Sequence, residues 1–372
     1  GLAQSHTTAV GGGPHTLWVD DFGTAPNPFA DFQAEPSQAL LPMETISPTY
    51  KVFPLDGIAS AKVATDQALL DPTVELPTPR SALSCFARPK GEGFGNGGKW
   101  RWVPLARALD KQGEERGTVM WLLLNNAFPY KQSLFAAVGI DDPEVLKDHR
   151  MAAALVDVAR RMRQGVFLRE AGARQFSYWP GEPIELGAEV VSTGAEAVAV
   201  TARVTVSAPR GGKRVFREAM PLEVGPGGSA TATCSWQPGP GVLDLYDVSV
   251  QLLHNGEVID TLSHQVGILS TKPAARDDFV TVKGSDFYLK GKKWYPVGIN
   301  YWPVYVSGSE TGDYSLGWLT PGFYDPDEVE RDLVRMEALG INMVSVQTGA
   351  PDGIPNLLDF LRRCEQHGIK VN

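Results

Sequence analysis

Amide and aromatic side chains end an apolar stretch late in the chain. Residues 294–302 read WYPVGINYW, so the apolar run closes with Asn300, Tyr301 and Trp302. Aromatic rings stack on the apolar faces of sugars, and amides exchange hydrogen bonds with sugar hydroxyls. These three side chains are therefore predicted to bind a carbohydrate. The competing interpretation is that they pack in the core or anchor the loop that follows.

Two more residues belong to the predicted sugar-binding set. Gln347 ends the apolar pattern INMVSVQ, and Trp318 lies in a long aromatic loop over residues 301–324. A long loop in a compact domain is either functional or disordered, and the aromatic content of this one argues against disorder. For Trp318 the alternative is core packing. Glu310 and Asp313 of the same loop are predicted either to contact sugar hydroxyls or to be simply solvated.

The residues around these positions predict alternating strands and helices. A helix is predicted to begin at Asp325, a good N-cap, with Pro326 in its first turn. The predicted order is strand 294–302, helix 324–340, strand 341–347, helix 356–368 and strand 369–372. This order with short connections predicts parallel strands and right-handed crossovers. The carboxyl ends of such strands lie at one edge, so Asn300, Gln347 and Asn372 are expected there.

Apolar and polar residues alternate through the middle of the chain, as they do in half-buried antiparallel strands. Strands are predicted near residues 183–191, 198–207, 213–222, 229–236, 243–253 and 257–268. Asn255-Gly256 is a hairpin signal, and Tyr246 lies where a tyrosine corner would fall. This pattern predicts an immunoglobulin-like β-sandwich whose role is mechanical.

The segment before the sandwich gives fewer periodic signals. TVMWLLL at residues 118–124 is a continuous apolar run, which is typical of a fully buried strand. A helix is predicted from about Asp142 to Arg163, with Pro143 in its first turn and Gly165 at its end. A buried strand beside an amphipathic helix predicts an irregular α/β segment.

A glycine-rich stretch in this segment matches two nucleotide-binding patterns. GFGNGGKW at residues 93–100 contains G-x-x-x-x-G-K and G-x-G-x-x-G, but Trp100 stands where a phosphate loop needs Ser or Thr. No strand is predicted before it and no helix after it, so a mobile surface loop is the favoured interpretation. Cys85 has the chemistry of a nucleophile but lacks a small-residue elbow, which favours a structural cysteine.

Composition argues against several classes of function. The 372 residues carry a formal net charge of -9 with both signs interspersed, which argues against nucleic acid and against an anionic membrane surface. No apolar stretch approaches the ~20 residues that span a bilayer. Cys85, Cys234 and Cys364 lie far apart, which suggests neither a disulfide framework nor a zinc site. We therefore expect no metal and no cofactor.

The first residues leave the cellular location open. GLAQSHTTAV lacks an initiator Met and lacks the charged-then-apolar pattern of a signal peptide. We expect that this is not the native start, and a secreted or periplasmic location is favoured over a cytoplasmic one. The oligomeric state stays open as well.

The last part of the chain resembles the first three units of a clan A glycoside hydrolase barrel. The resemblance covers residues 287–372 and rests on FYLKGKKWYPVGINYW, DPDEVERDLVRMEALG, INMVSVQ and LLDFLRRCEQHGIKVN. It implies the start of a (β/α)8 barrel, or TIM barrel, that is incomplete in this chain. Many relatives carry an Arg on the second strand, where this sequence has Ser345 and Gln347, so the sugar is left open.

The resemblance implies a retaining β-glycosidase that acts on a β-linked oligosaccharide or polysaccharide. Two glutamates about 5 Å apart, one acid/base and one nucleophile, would flank the scissile bond. In clan A they end strands four and seven. The catalytic residues are therefore expected beyond residue 372, and the chain alone is expected to be inactive. The alternatives are a non-catalytic carbohydrate-binding or structural protein with a degenerate barrel, and a different barrel enzyme such as a lyase or an isomerase.

The predicted fold is thus multidomain, with α/β and all-β parts. Residues 1–170 form an α/β domain that resembles a degenerate amidotransferase-like (flavodoxin-like) domain, on the basis of the strand, the helix and the run GVFLREAGA. Residues 171–270 form the immunoglobulin-like sandwich. Residues 271–372 form the start of the barrel.

Overall fold

The computed structural model describes the chain in separate stretches. Backbone and side chains are described at residue 55 and over 57–84, 90–98, 100–126, 131–140, 142–239, 243–272, 274–303, 317–347 and 351–372. Short strands before residue 55 and residues 85–86 are described by their backbone alone. The predictions for Glu310, Asp313 and the Cys85 side chain lie outside the described residues.

The first segment consists of strands followed by helices. Its strands are β1 (Ser5–Val10), β2 (Gly13–Trp18), β3 (Thr24–Ala25), β4 (Leu41–Pro42), β5 (Lys51–Leu55), β6 (Ser60–Val63), β7 (Ala82–Phe86), β8 (Trp100–Leu109), β9 (Glu115–Asn125) and β10 (Leu134–Val138). Antiparallel pairs join β1 with β2 and β5 with β7, whereas β3 and β4 are parallel. A four-stranded sheet has the order β10-β9-β8-β6.

The four-stranded sheet holds the core of this segment. The predicted strand TVMWLLL lies within β9, where Val119, Met120 and Leu124 are fully buried. Every pairing in this sheet is antiparallel, whereas flavodoxin-like domains have mostly parallel sheets. The sheet therefore differs from the one that the amidotransferase-like resemblance implies.

The helix predicted near residues 142–163 is present but divided. Its two parts, α1 (Pro143–Lys147) and α2 (His149–Gln164), meet at Asp148, whose backbone is extended (φ -63°, ψ 131°). The Asp148 carboxylate accepts a hydrogen bond at 2.8 Å from the backbone N–H two residues on, which caps α2. Asp competes with a continuing helix in this way, which explains the break. Gly165 ends α2 in the left-handed conformation (φ 67°), as predicted.

The middle segment is a two-sheet β-sandwich. Its strands are β11 (Val166–Ala173), β12 (Ser177–Tyr178), β13 (Ile184–Ser192), β14 (Val198–Ser207), β15 (Arg214–Val224), β16 (Ser229–Trp236), β17 (Leu245–His254) and β18 (Glu257–Ile268). The sheets β11-β13-β16 and β12-β18-β17-β14-β15 share one hydrophobic core. All pairings are antiparallel except that of β12 with β18. Strands β13 to β18 lie where the alternating pattern predicts them.

Local signals in the sandwich also have the predicted geometry. The Tyr246 hydroxyl accepts a hydrogen bond from Leu243 N at 2.9 Å, the contact of a tyrosine corner. Asn255 and Gly256 have positive φ (53° and 85°) and make the turn between β17 and β18. The first strand of the sandwich, β11, begins at Val166 and pairs with β13, so this sheet starts ahead of the predicted boundary at residue 171.

The last segment contains a small antiparallel sheet and a parallel one. Its elements are β19 (Thr281–Lys283), β20 (Asp286–Leu289), β21 (Lys292–Trp294), β22 (Gly298–Asn300), α3 (Pro326–Ala338), β23 (Met343–Ser345), α4 (Ile354–Gln366) and β24 (Lys370–Val371). The sheet β22-β23-β24 is parallel, as the strand and helix order predicts. The Asp325 carboxylate accepts from Glu328 N at 3.0 Å, which confirms the predicted N-cap. None of the helices in the described part of the chain is long and apolar enough to cross a membrane.

The strand that opens the parallel sheet differs from its prediction. The apolar run predicts a buried strand over residues 294–302, but within it only Trp294, which ends β21, and the three residues of β22 belong to strands. Tyr295 (70%) and Val297 (52%), which precede β22, are exposed, and so is Ile299 (41%) within it. The hydrophobic core of this segment lies instead around β23 and between α3 and α4. An edge strand has a neighbour on one side only, so apolar composition alone does not bury it.

Buried polar contacts join the three segments. Arg101 of β8 donates to both carboxylate oxygens of Asp260 on β18, at 2.5 and 2.9 Å, and both side chains are buried. Ser177 of β12 donates to Asp359 of α4 at 2.8 Å, and Arg362 donates to the Ser177 hydroxyl at 3.0 Å. The sandwich therefore contacts both neighbouring segments through desolvated polar groups.

Candidate functional site

Exposed amides lie at the carboxyl ends of the parallel strands. Asn300 ends β22, Gln347 lies two residues beyond β23, and Asn372 follows β24. The side chains of all three are exposed. Asn372 continues the ladder, because its N–H donates to Val344 O at 2.9 Å. We call this place, defined by Asn300, Ser345, Gln347 and Asn372, the strand-end edge.

Strand pairing explains why these residues lie together. Asn300 and Ser345 are direct partners across β22 and β23. The ladder continues just past β23, because Val346 N donates to Asn372 O at 3.1 Å, and this contact brings the segment that carries Gln347 beside Asn372. Ser345 and Asn372 were not among the predicted sugar-binding residues. Strand order already places Asn372 at this edge, whereas register is the signal that finds Ser345, and register becomes available only once the pairing is known.

Tyr301 and Trp318 lie in the core instead of at this edge. They are 3% and 1% exposed. The Tyr301 ring stacks on Phe360 of α4 with centroids 5.7 Å apart, and Trp318 meets both rings edge-on. Trp302 is half-buried and packs against the same core. Since a buried ring offers no face to a sugar, the core-packing interpretation holds for Tyr301 and Trp318.

A carboxyl group with a raised pKa lies behind Tyr301. The Tyr301 hydroxyl donates to Asp332 Oδ2 at 3.1 Å. Burial raises the pKa of Asp332 to about 6, and the neighbouring Glu328 carboxylate adds to the rise. Raised carboxyl pKa values are frequent in catalytic acids. Asp332 belongs to α3 and contacts a core ring, however, so its contact holds Tyr301 and does not place an acid at the strand-end edge.

A second buried carboxylate connects three elements. Asp359 of α4 accepts hydrogen bonds from Ser177, Arg362 and Arg363, and from the Tyr324 hydroxyl at 2.8 Å. Burial would raise the pKa of Asp359, but the two guanidinium groups outweigh burial and hold this pKa below its ordinary value. Asp359 is thus a structural anion that fixes the segment before α3 against α4 and the sandwich.

The glycine-rich stretch is a packed loop around a carboxylate. Glu170 of β11 is buried and accepts hydrogen bonds from Asn96 N at 2.9 Å and from Gly98 N. Backbone N–H groups that could cradle a phosphate are therefore already occupied by a side-chain anion. Residues 91–94 are buried as well, so the expected mobile surface loop is corrected to a packed one.

The same loop lies against the segment that leads from β22 to α3. A Cβ atom on Gly322 would lie 3.1 Å from Asn96 O. The rings of Trp100 and Phe323 meet edge-on with centroids 6.0 Å apart. No sequence signal links these distant residues, because the contact depends on how the segments pack.

The positions of the His, Cys, Asp and Glu side chains decide whether they could bind a metal ion or act as nucleophiles. Within the described residues, no group of three or more His, Cys, Asp or Glu side chains is arranged to hold a metal ion. Cys364 is buried and Cys234 half-buried, and burial raises their pKa values to about 12 and about 11. Thiols with raised pKa values are poor nucleophiles at neutral pH. Both cysteines therefore act as small apolar groups.

Comparison with known proteins finds low similarity. The sequence matches no protein-family model, and none of the curated proteins compared is significantly similar to it. Among solved structures, a β-D-mannosidase from Dictyoglomus thermophilum is 16% identical with a TM-score of 0.30, over 56% of this chain and 24% of that chain. A putative β-galactosidase from Bacteroides fragilis is 15% identical with a TM-score of 0.29, over 87% of this chain and 42% of that chain.

A structure of another kind is similar to a smaller part of the chain. A CARDB domain from Pyrococcus furiosus is 14% identical with a TM-score of 0.22, over 28% of this chain and 91% of that domain. The chain spans 24% and 42% of the lengths of the two glycosidases. Glycosidases are thus among the similar structures, but at these TM-scores the similarities assign no family and carry no argument.

Proposed function

We propose that residues 287–372 form the first three units of a clan A glycoside hydrolase barrel, whose sugar-binding surface includes the strand-end edge. The observation that carries this proposal is the set of exposed amides at the carboxyl ends of three parallel strands. In barrels of this kind the active site lies at that edge. The proposed reaction is hydrolysis of a β-glycosidic bond with retention.

The amides would bind sugar hydroxyls. An amide carries both a donor and an acceptor, so it pairs with a hydroxyl in either role. Asn300 and Gln347 would fix the position of one sugar ring, and the exposed part of Trp302 would offer an apolar surface. Proton transfer and nucleophilic attack would come from two glutamates on later strands, about 5 Å apart.

The test measures turnover of a panel of aryl β-glycosides by the natural protein, with any sequence that follows residue 372. Asn300→Ala and Gln347→Ala are each expected to lower kcat/KM about fivefold, the effect of losing one hydrogen bond. Gln112→Ala removes an exposed amide between β8 and β9, so it is a matched control and should leave kcat/KM unchanged. Absence of turnover on every glycoside in the panel would refute the proposal.

A non-catalytic carbohydrate-binding protein is the second candidate. It is favoured by the composition of the strand-end edge, which has no carboxylate among its four residues. It predicts that the same two variants weaken sugar binding while the unsubstituted protein hydrolyses nothing. Hydrolysis that a single Glu→Gln change in a later strand abolishes would refute it.

A further inference from the structure

The outer face of the sandwich contains a groove that is lined by two arginines. The groove has a volume of about 570 Å³ and lies over β14, β15 and the start of the β17–β18 turn. Arg203 of β14 and Arg217 of β15 line it. Neither forms an ion pair with any residue in the described part of the chain, and only Arg203 has a side-chain partner, the amide of Gln251.

The two arginines are close neighbours with like charge. Arg203 is paired across the strands with Ala219, and Arg217 lies two residues from Ala219 on the same face. Diagonal cross-strand neighbours have Cα atoms about 7–8 Å apart, within reach of long side chains. Like charges at this spacing repel, and an anion between them would remove the repulsion. The cationic pair stands out because the whole chain has a net charge of -9.

Gln251 holds one of the arginines in a defined position. Its Oε1 accepts hydrogen bonds from Arg203 Nε at 3.2 Å and from Nη2 at 2.5 Å. The Nη1 group of Arg203 makes no hydrogen bond with a described residue, which leaves donors for a ligand. Arginine binds carboxylate and sulfate oxygens through paired N–H groups, so a pre-positioned guanidinium favours an anion with several oxygens.

The remainder of the groove is suited to an extended, hydroxyl-rich ligand. Its lining includes the short or apolar side chains of Ala199, Thr201, Ala219, Pro221 and Leu253. Glu223 and Asn255 line the far end, about 20 Å along the strand from Arg217. A carboxylate and an amide bind hydroxyls well. Stacking on an aromatic ring is absent from the groove lining, so the anionic group would supply the affinity.

We propose that this groove binds an anionic polysaccharide, with a carboxylate or sulfate group held between Arg203 and Arg217. The choice of a polysaccharide over an acidic peptide rests on the proposed function; the anion site itself does not. The sandwich would then bind an acidic glycan instead of serving as a spacer alone.

The test measures binding of polygalacturonate, dextran sulfate, neutral dextran and poly-glutamate to the 372-residue chain by titration calorimetry. Polygalacturonate or dextran sulfate is expected to bind, and the comparison of the two distinguishes a carboxylate from a sulfate ligand. Neutral dextran should not bind. Arg203→Ala and Arg217→Ala are each expected to weaken binding about tenfold. Arg203→Lys keeps the charge but loses the paired donors, so it should weaken binding by a smaller factor.

Matched controls separate a site from general electrostatics. Arg163→Ala removes an exposed arginine that forms no ion pair with a described residue, and it should leave binding unchanged. Equal losses in Arg163→Ala and Arg203→Ala would overturn the proposal, as would no binding of either acidic glycan. Poly-glutamate binding as tightly as the glycans would replace the polysaccharide with an acidic peptide. The assay needs no hydrolysis, so failure of the proposed glycosidase activity would leave its result intact.

Discussion

His367 lies between two carboxylates at the end of α4. Its Nδ1 is 2.6 Å from Glu337 Oε2, and its Nε2 is 2.9 Å from Glu330 Oε1. Only a doubly protonated imidazole can donate to both. Burial lowers the pKa of His367, but hydrogen bonds to Glu337 and Glu330 outweigh burial and raise the pKa above its ordinary value. The charged form therefore connects α4 to α3.

This arrangement predicts a stability that depends on pH. Because the pKa of His367 is raised in the folded state, the stability that this residue contributes is fully present below the ordinary pKa of histidine, near 6.5. The contribution is lost as the pH rises through the folded pKa. His367→Gln should therefore lower the melting temperature at pH 6 and have a smaller effect at pH 9.

The control for this prediction is another histidine. His254→Gln removes a ring whose Nδ1 contacts the Ala199 carbonyl at 3.1 Å and no carboxylate. Its effect should not shrink between pH 6 and pH 9 in the same way. The Glu330 carboxylate also has a guanidinium partner, Arg363, at 2.7 Å, so it retains that partner when His367 is neutral. An effect of His367→Gln that is equal at both pH values would contradict the account.

The sequence places His367 only in part. It precedes the helix-ending Gly368, and this position predicts a favourable cation at a helix terminus. Both of its carboxylate partners lie on α3, 30 and 37 residues earlier in the chain. Sequence position gives the helix end, but the partners depend on how α3 and α4 pack.

The sandwich strands are the elements that the sequence predicts best. Alternation with a period of two is a local property, and each half-buried strand must satisfy it to bury one face. The prediction is weaker for β22, where an apolar run predicts burial that the edge position does not provide. The sequence pattern also fails to predict the break between α1 and α2, because an Asp such as Asp148 can either continue a helix or cap one. Burial and breaks depend on neighbours, which local patterns do not contain.

The tyrosine corner predicts a measurable contribution to sandwich stability. Tyr246→Phe leaves Leu243 N without its hydrogen bond and should lower the free energy of unfolding by about 1 kcal/mol. Urea unfolding followed by circular dichroism measures this change. Tyr295→Phe removes a hydroxyl from a side chain that is 70% exposed, and its effect should be close to zero. Equal effects would show that the hydrogen bond between Leu243 N and the Tyr246 hydroxyl adds nothing to stability.

A fully desolvated ion pair joins the sandwich to the first segment. Arg101 is 2% exposed and Asp260 is 0% exposed. Arg101 also donates to the carbonyls of Lys90, Leu168 and Thr261, so its N–H groups are well satisfied. Breaking such a pair leaves an uncompensated buried charge, which costs about 3–5 kcal/mol.

Asp260→Asn should therefore destabilise the molecule strongly. The expected loss is about 3 kcal/mol or more, seen as a lower urea midpoint for both the sandwich and the first segment. Glu185→Gln is the matched control, because its ion pair with Arg174 is about half exposed and is expected to contribute less than about 1 kcal/mol. Similar midpoints for the two variants would show that the buried pair does not hold the segments together.

The Arg101–Asp260 contact also bears on synthesis by the ribosome. The two residues are separated by 159 positions, so Arg101 is made long before its partner. At ~5–20 residues per second, the delay is roughly 8 to 30 s. During that time the part of the four-stranded sheet around Arg101 lacks its contact with β18. The nascent first segment therefore has to wait for most of the sandwich before it can complete its packing, and this interval is when chaperone binding would be of most use.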